Sequence, residues 1–294
     1  MDFNFYVSPG DSIQDAVNAA FEQDGGRVVL LPGNHLTRTV YLKSNVELHI
    51  AGGAVLEGGK SQDDYDALPD ELYAECHNDP CNRALLAAAD EKNISVTGSG
   101  TIEGNGPEFY DKTILPGWRF YQKPTDIQRP RMLHFANCRN IKIEGLHFHD
   151  SPRWTLWFIE CDDVIIKGIR ITGDPKMINN DGIHFFGGKR IAISDCFVST
   201  GDDALVVRSG HSWHNMDHQV VLSELVVSNC VFESNCQAIR IGCPGDDLIE
   251  NCCFSNLILK GHNGILMVNP LNYWKNELAT PFRQTPHLVR NLQF

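Results

Sequence analysis

A short pattern recurs along the chain: a polar residue, an Ile, Val or Leu, one further residue, then another Ile or Val. It stands as Asn93-Ile94-Ser95-Val96, Asn140-Ile141-Lys142-Ile143, Asp163-Val164-Ile165-Ile166, Arg190-Ile191-Ala192-Ile193 and Glu224-Leu225-Val226-Val227. Ile141 to Val164 is 23 residues, Val164 to Ile191 is 27 and Ile191 to Leu225 is 34. Short β-branched segments bounded by Gly, Asn and Asp read as strands. Their recurrence without helical stretches between them matches an all-β solenoid, a right-handed parallel β-helix in which each coil buries its apolar face on its neighbours. The uneven spacing is what loops inserted between stacked coils produce. A meandering β-sandwich is the structural alternative.

The ten cysteines favour the solenoid. Cys138 and Cys161 lie 23 residues apart in similar settings, and Cys196, Cys230 and Cys253 each close on comparable segments. Such recurrence predicts small buried thiols stacked coil on coil rather than zinc, which wants paired Cys-x-x-Cys groups. Cys76 and Cys81, outside the pattern, are the pair that a bridge would join.

A bare solenoid end exposes apolar side chains and unpaired backbone, so it needs a cap. Residues 11–22 supply one: Asp11 can cap a helix whose Ile13, Ala16, Val17, Ala20 and Phe21 share a face. Gly25-Gly26 ends it and Val28-Val29-Leu30-Leu31 enters the first coil. Residues 61–82 and 107–130 read as surface excursions of the kind that frame grooves. Leu288-Val289-Arg290-Asn291-Leu292-Gln293-Phe294 reads as the opening of another coil. An exposed apolar C-terminal end, covered by a partner or left by truncation, is therefore expected. The whole chain, 1–294, is read as one β-helix domain.

Composition removes other classes. The 37 acidic against 25 basic side chains, net −12, disfavour a nucleic-acid partner. No apolar run approaches the ~18 residues of a membrane helix. The N-terminus lacks the charged and apolar regions of a signal peptide, which predicts a cytoplasmic chain or one whose signal has been removed.

The chemistry concentrates between 179 and 208, in Asn179-Asn180-Asp181-Gly182-Ile183 and Thr200-Gly201-Asp202-Asp203-Ala204-Leu205. Asp181 and Asp202 are 21 residues apart, about one short coil. With coils ~4.8 Å apart, the two become neighbours on one ladder with Asp203 beside them. Three such carboxylates cannot all ionise cheaply, so at least one pKa rises. A protonated carboxyl beside ionised ones is what glycoside hydrolysis needs. Asp residues also cap turns at coil corners, and carboxylate clusters also bind calcium; acid/base catalysis, with no cofactor or metal, is the preferred reading.

These motifs resemble the polygalacturonase-like glycoside hydrolases of family 28. Ser8-Pro9-Gly10-Asp11-Ser12-Ile13-Gln14 through Gly25-Gly26-Arg27-Val28 resembles the entrance of pectin-degrading β-helices, and Ser151-Pro152-Arg153-Trp154-Thr155-Leu156 their Trp segment. Asn179-x-Asp181-Gly182 and Gly201-Asp202-Asp203, in this order, are the specific motifs. The resemblance implies cleavage of a pectic poly- or oligosaccharide with inversion, by carboxylates closer together than inverting enzymes usually have. Asp202 would be the general acid, Asp181 and Asp203 would activate water, and Asn179 would orient Asp181.

Two further family motifs are broken. Gly-His-Gly aligns with Cys236-Gln237-Ala238, and Arg-Ile-Lys with Leu266-Met267-Val268. Gln237 hydrogen-bonds but carries no charge, and Leu266 and Val268 cannot hold a uronate. Strand alternation points Arg240 to the groove one or two coils from Asp202, or leaves it to pair with Asp246 or Asp247. His184, Arg208, Arg153 and Trp154 complete the expected groove lining. The lost Arg and Lys turn the expectation from plain polygalacturonan toward a side-chain or rhamnogalacturonan-type linkage. A catalytically impaired sugar-binding solenoid and a polysaccharide lyase on the same scaffold remain the alternatives.

Overall fold

The computed structural model describes residues 3–69, 82–211, 218–242, 248–267 and 288–294. The Cys76–Cys81 pair, Asp246, Asp247, Val268 and most of the C-terminal segment lie outside the described residues.

Among the described residues eight successive coils each contribute one strand to each of three parallel sheets. A further strand lies at either end of the first sheet, and the connections wind right-handed as parallel crossovers do. One coil runs Arg139–Glu144 in the first sheet, His147–His149 in the second and Leu156–Ile159 in the third. Among the described residues the sheets hold ten, eight and eight strands. The recurring apolar positions coincide in register: Ile94 faces Ile141, which faces Val164, then Ile191, then Leu225. All five are buried. A second inward column runs Phe135, Phe158 and Phe185, the last two stacked with centroids 4.7 Å apart at 12°.

The polar residue that opens each repeat has a backbone reason. Asn45, Asn93, Asn140, Asp163, Arg190, Glu224, Asn251 and Asn291 all adopt positive φ, a left-handed bend that Asn tolerates best among residues with a Cβ. Asn93 Nδ2 donates to Asn45 Oδ1 (2.6 Å) and Asn140 Nδ2 to Asn93 Oδ1 (2.8 Å), tying successive bends together. Where the ladder changes residue, Arg190 donates to Asp163 instead (2.8 Å to Oδ2).

Cys138 and Cys161 are buried free thiols on successive coils, as are Cys196 and Cys230. Cys253 does not join that second column. It faces Val226 on the half-exposed side of its strand, and its neighbour Cys252 points inward opposite Leu225. The cap helix spans Ile13–Glu22, and its N-cap is Ser12, whose hydroxyl accepts from Asp15 N–H (3.2 Å). Asp11 instead accepts from Ser8 N–H, and Phe21 is exposed while Ile13, Val17 and Ala20 are buried.

At the far end Leu288–Gln293 pairs with Leu248–Ser255, continuing the first sheet as its sequence suggests. Ile265 and Met267, on the inward phase of the last described strand of the third sheet, stand 37% and 50% exposed. Apolar positions that are buried in every inner coil are thus open in this one.

Candidate active site

The catalytic candidates sit where the second sheet turns into the third. Gly182 N–H donates to the Asp203 carbonyl (2.9 Å) and Ile183 pairs with Leu205. That register carries Asp181 opposite Asp203, not opposite Asp202 as the 21-residue spacing suggests. Asn180 takes the place facing Asp202: its Oδ1 accepts from the backbone N–H of Gly201 (2.8 Å) and Asp202 (3.0 Å). The column at this edge of the third sheet therefore reads Arg131, Trp154, Asp181, Asp203, Gln237 and Asn263.

Asp202 is held on both oxygens. Asn179 N–H donates to Oδ2 (2.8 Å) and Asp203 N–H to Oδ1 (3.0 Å), while Thr200 and Ser234 hydroxyls both donate to its carbonyl (2.7 Å each). Asn179, expected beside Asp181, is thus bonded to Asp202. Its own Oδ1 accepts from Arg129 (3.0 Å), a buried side chain that also donates to Tyr110 Oη (2.6 Å) and the Ile178 carbonyl (2.8 Å). The excursion over 107–130 therefore braces the Asn179 turn from behind. Arg129 and Tyr110 act through a loop that folds back across the coils and has no periodicity, and Asn180 and Ser234 through the register of successive coils, which residue spacing leaves open.

Asp203 accepts from Gln237 N–H (3.0 Å) and faces Arg240 Nη1 across 3.5 Å. Gln237 thus occupies the place facing Asp203, with its side-chain carbonyl accepting from Asn263 (2.7 Å). Asp181 and Asp203 are nearly closed off, 5% and 1% exposed, and Asp202 is half-buried. Burial, then the neighbouring Asp202 charge, pushes the Asp203 carboxyl up to about 7. The same two causes, joined by Asp203, hold Asp181 well above the carboxylate range. The anticipated rise falls on these two.

Part of the expected groove lining is not on the surface. Trp154, Arg153, His184 and Arg208 are all buried. The His184 ring lies between Trp154 (4.5 Å) and Trp157 (4.3 Å), with Nδ1 3.5 Å from Asp181 Oδ2. Arg153 lies over the Trp154 ring and Arg208 over that of Phe186. Alternation put His184 on the outward phase correctly, but this stretch of the outer face carries a second apolar layer that includes Leu68, Trp154, Trp157, Phe186 and Val220. The face opens toward the later coils, where Gln237, Arg240 and Leu266 are half-buried and Asn263 is exposed. An open pocket of ≈ 530 Å³ adjoins Thr200 and Ser234 and is flanked by Arg119, Lys260 and His262.

The family model for glycosyl hydrolases family 28 matches residues 40–262. The chain belongs to this family. Among family-28 relatives, a polygalacturonase of Persea americana is 27% identical over 249 residues, 81% of this chain and 47% of that protein. A probable polygalacturonase of Vitis vinifera is 25% identical, over 74% of this chain and 44% of its own length. The chain spans about half the length of these curated relatives. In fold it is similar to a hyperthermoactive exopolygalacturonase from Thermotoga maritima, with a TM-score of 0.69 at 21% identity over 92% of this chain and 72% of that one. An endo-xylogalacturonan hydrolase from Aspergillus tubingensis gives a TM-score of 0.63 at 16% identity, covering 90% of this chain and 68% of that one. At these identities the structural likeness speaks for the fold alone.

Proposed function

We propose that this family-28 chain hydrolyses glycosidic bonds of a pectic polysaccharide or oligosaccharide with inversion, through Asp202, Asp181 and Asp203. The observation that carries the reading is the carboxyl cluster itself. Two nearly buried carboxyls with raised pKa stand against a third, Asp202, that reaches the surface. In such a coupled set the proton belongs to the cluster rather than to one residue. Asp202, the member accessible to a sugar, delivers it to the glycosidic oxygen as the bond to the anomeric carbon breaks. Water attacks that carbon and loses its proton to the Asp181–Asp203 pair. Carboxylate oxygens of Asp202 and Asp203 lie within 4.8 Å of each other. By distance alone, pairs about 5 Å apart belong to retaining enzymes; the inverting assignment follows the family.

Cations near the cluster suit an acidic sugar. Arg240 faces the same side as Asp203, one coil before the Leu266 that stands at the family's Arg position. Arg119 lines the pocket beside Thr200 and Ser234, together with Lys260, which is paired there with Glu233 (3.7 Å). This arrangement favours a uronate-bearing chain held differently from plain polygalacturonan, and a rhamnogalacturonan-type or side-chain linkage remains the proposed substrate.

Asp202→Asn keeps an oxygen for the Asn179 N–H and removes the acid. It should lower kcat by about 10²–10⁴-fold with an unchanged circular dichroism spectrum. Near-normal release of reducing ends by this variant would remove Asp202 from the role, and binding of pectic oligosaccharides without any new reducing ends in the wild type would support a binding solenoid instead.

A further inference from the structure

We propose that the substrate groove is closed at one end, so that this chain trims one or two sugar units from the end of a pectic chain rather than cutting it internally. The outward column of the third sheet shows where the closure lies. It runs Ala87, His134, Trp157, His184 and Val206 in register, coil by coil, and none of the five is more than 3% exposed. Val206 belongs to the coil of Asp202 and Asp203. One coil further the column reaches Arg240, whose side chain is 31% exposed, and then half-buried Leu266, with Asn263 exposed on the same strand. The neighbouring outward column, Ala136, Ile159, Phe186 and Arg208, is likewise buried up to the catalytic coil. The change from sealed to open therefore falls at the carboxyl cluster.

Three insertions build the wall. Leu68, from the excursion over 61–82, and Val220, from the hairpin pairing Gly210–His211 with Gln219–Val220, join Trp154, Trp157 and Phe186 in one apolar layer. Val220 sits so close that a Cβ on Gly187 would fall 2.1 Å from its Cγ1. His218 Nε2 lies 2.6 Å from Glu160 Oε2, tying the same insertion to the face. Arg83 donates to the Gln62 carbonyl (3.0 Å) and to Gln128 Oε1 (3.2 Å), which joins the excursion over 61–82 to that over 107–130. The wall also reaches the cluster. Trp154 is the position before Asp181 at this edge of the sheet, and His184 Nδ1 is 3.5 Å from Asp181 Oδ2. With coils ~4.8 Å apart, a sugar chain running lengthwise through the cluster would have to pass through these buried indole and imidazole rings. It binds instead with one end against the wall and its body over the later coils, where Gln237, Arg240 and Asn263 present hydrogen-bonding groups.

The closed end stands on burial and packing; the trimming it implies rests on the hydrolase reading above. Two capped forms of homogalacturonan, xylogalacturonan and rhamnogalacturonan oligosaccharides test it, one with a bulky fluorophore on the reducing-end unit and one with it on the non-reducing-end unit. Titration calorimetry of the full chain carrying Asp202→Asn should show one form bound as well as the uncapped sugar and the other not bound, because its cap meets the wall. Equal binding of both forms, or binding of no sugar in the series, would overturn the closed end. From the uncapped sugar the wild type should release, at the earliest times, only mono- or disaccharide and the correspondingly shortened chain. Polymer viscosity should fall only in step with that release. Early products from the middle of the chain, or an early collapse of viscosity, would overturn the trimming. Discrimination between the caps by Asp202→Asn without any cleavage by the wild type would count against the hydrolase reading alone and support the closed end.

Discussion

Asp203 sits with its carboxyl near 7 because it is buried and faces the Asp202 charge. In an unfolded chain the same group titrates near ~3.9. The folded state therefore holds this proton more tightly, so its stabilising effect is complete below about pH 4 and is lost as pH rises through about 7. Asp203→Asn should raise Tm at about pH 8 and leave it nearly unchanged at about pH 4, with an upper bound of roughly 4 kcal/mol from three pKa units. Melts of both proteins at the two pH values check this. The same titration removes the cluster's proton, so kcat of the wild type should fall above about pH 7. A rate that climbs steadily from pH 6 to about 9 would contradict a shared proton at Asp203. The three carboxyls were legible as a group from their spacing, but their pairing was not. Residue spacing gives the coil, and only the ladder hydrogen bonds give the register that sets Asp181 against Asp203. His184 and Trp154 show a second limit: alternation fixes which way a side chain points, not what packs on top of it.

At the scale of one coil, the repeat Asn-Ile-x-Ile encodes two things at once. The Ile positions stack inward, and the Asn turns left-handed and bonds to the Asn of the next coil. Asn140→Ala keeps the bend without the tolerance or the hydrogen bond, and should cost about 2 kcal/mol. Asn140→Gly, which relieves the bend, should cost less; chemical denaturation of the pair measures the difference. An Ala variant as stable as the Gly variant would mean the left-handed bend carries no strain. The inward stack predicts a larger loss: Phe185→Ala, removing a ring stacked on Phe158, should cost about 3–5 kcal/mol in the same assay. Most of this element was readable, because period and β-branching leave few alternatives. Cys253 was misplaced because the adjacent cysteines 252 and 253 occupy opposite faces of one strand, and residue type alone does not say which faces in.

Across the whole molecule, stability follows from nearest-neighbour stacking of coils. The inner coils are covered on both sides, whereas Ile265 and Met267 in the last described coil are open. Amide exchange should accordingly be slowest in the strands between 139 and 208 and fastest in Ile258–Lys260 and Asn263–Met267, as read by hydrogen-exchange mass spectrometry. The cap helix was visible in the sequence through its apolar face. The brace from Arg129 and Tyr110 to the Asn179 turn was not, since it joins parts of the chain about 50 and 70 residues apart through a loop without periodicity. The central claim is that the cluster of Asp181, Asp202 and Asp203 splits a sugar bond with water. Digestion of a panel of homogalacturonan, xylogalacturonan and rhamnogalacturonan oligosaccharides in water enriched in heavy oxygen, followed by mass spectrometry, tests it directly. The account predicts one heavy oxygen at the new reducing end for each bond cut. No cleavage of any pectic chain, or unlabelled unsaturated products, would contradict it.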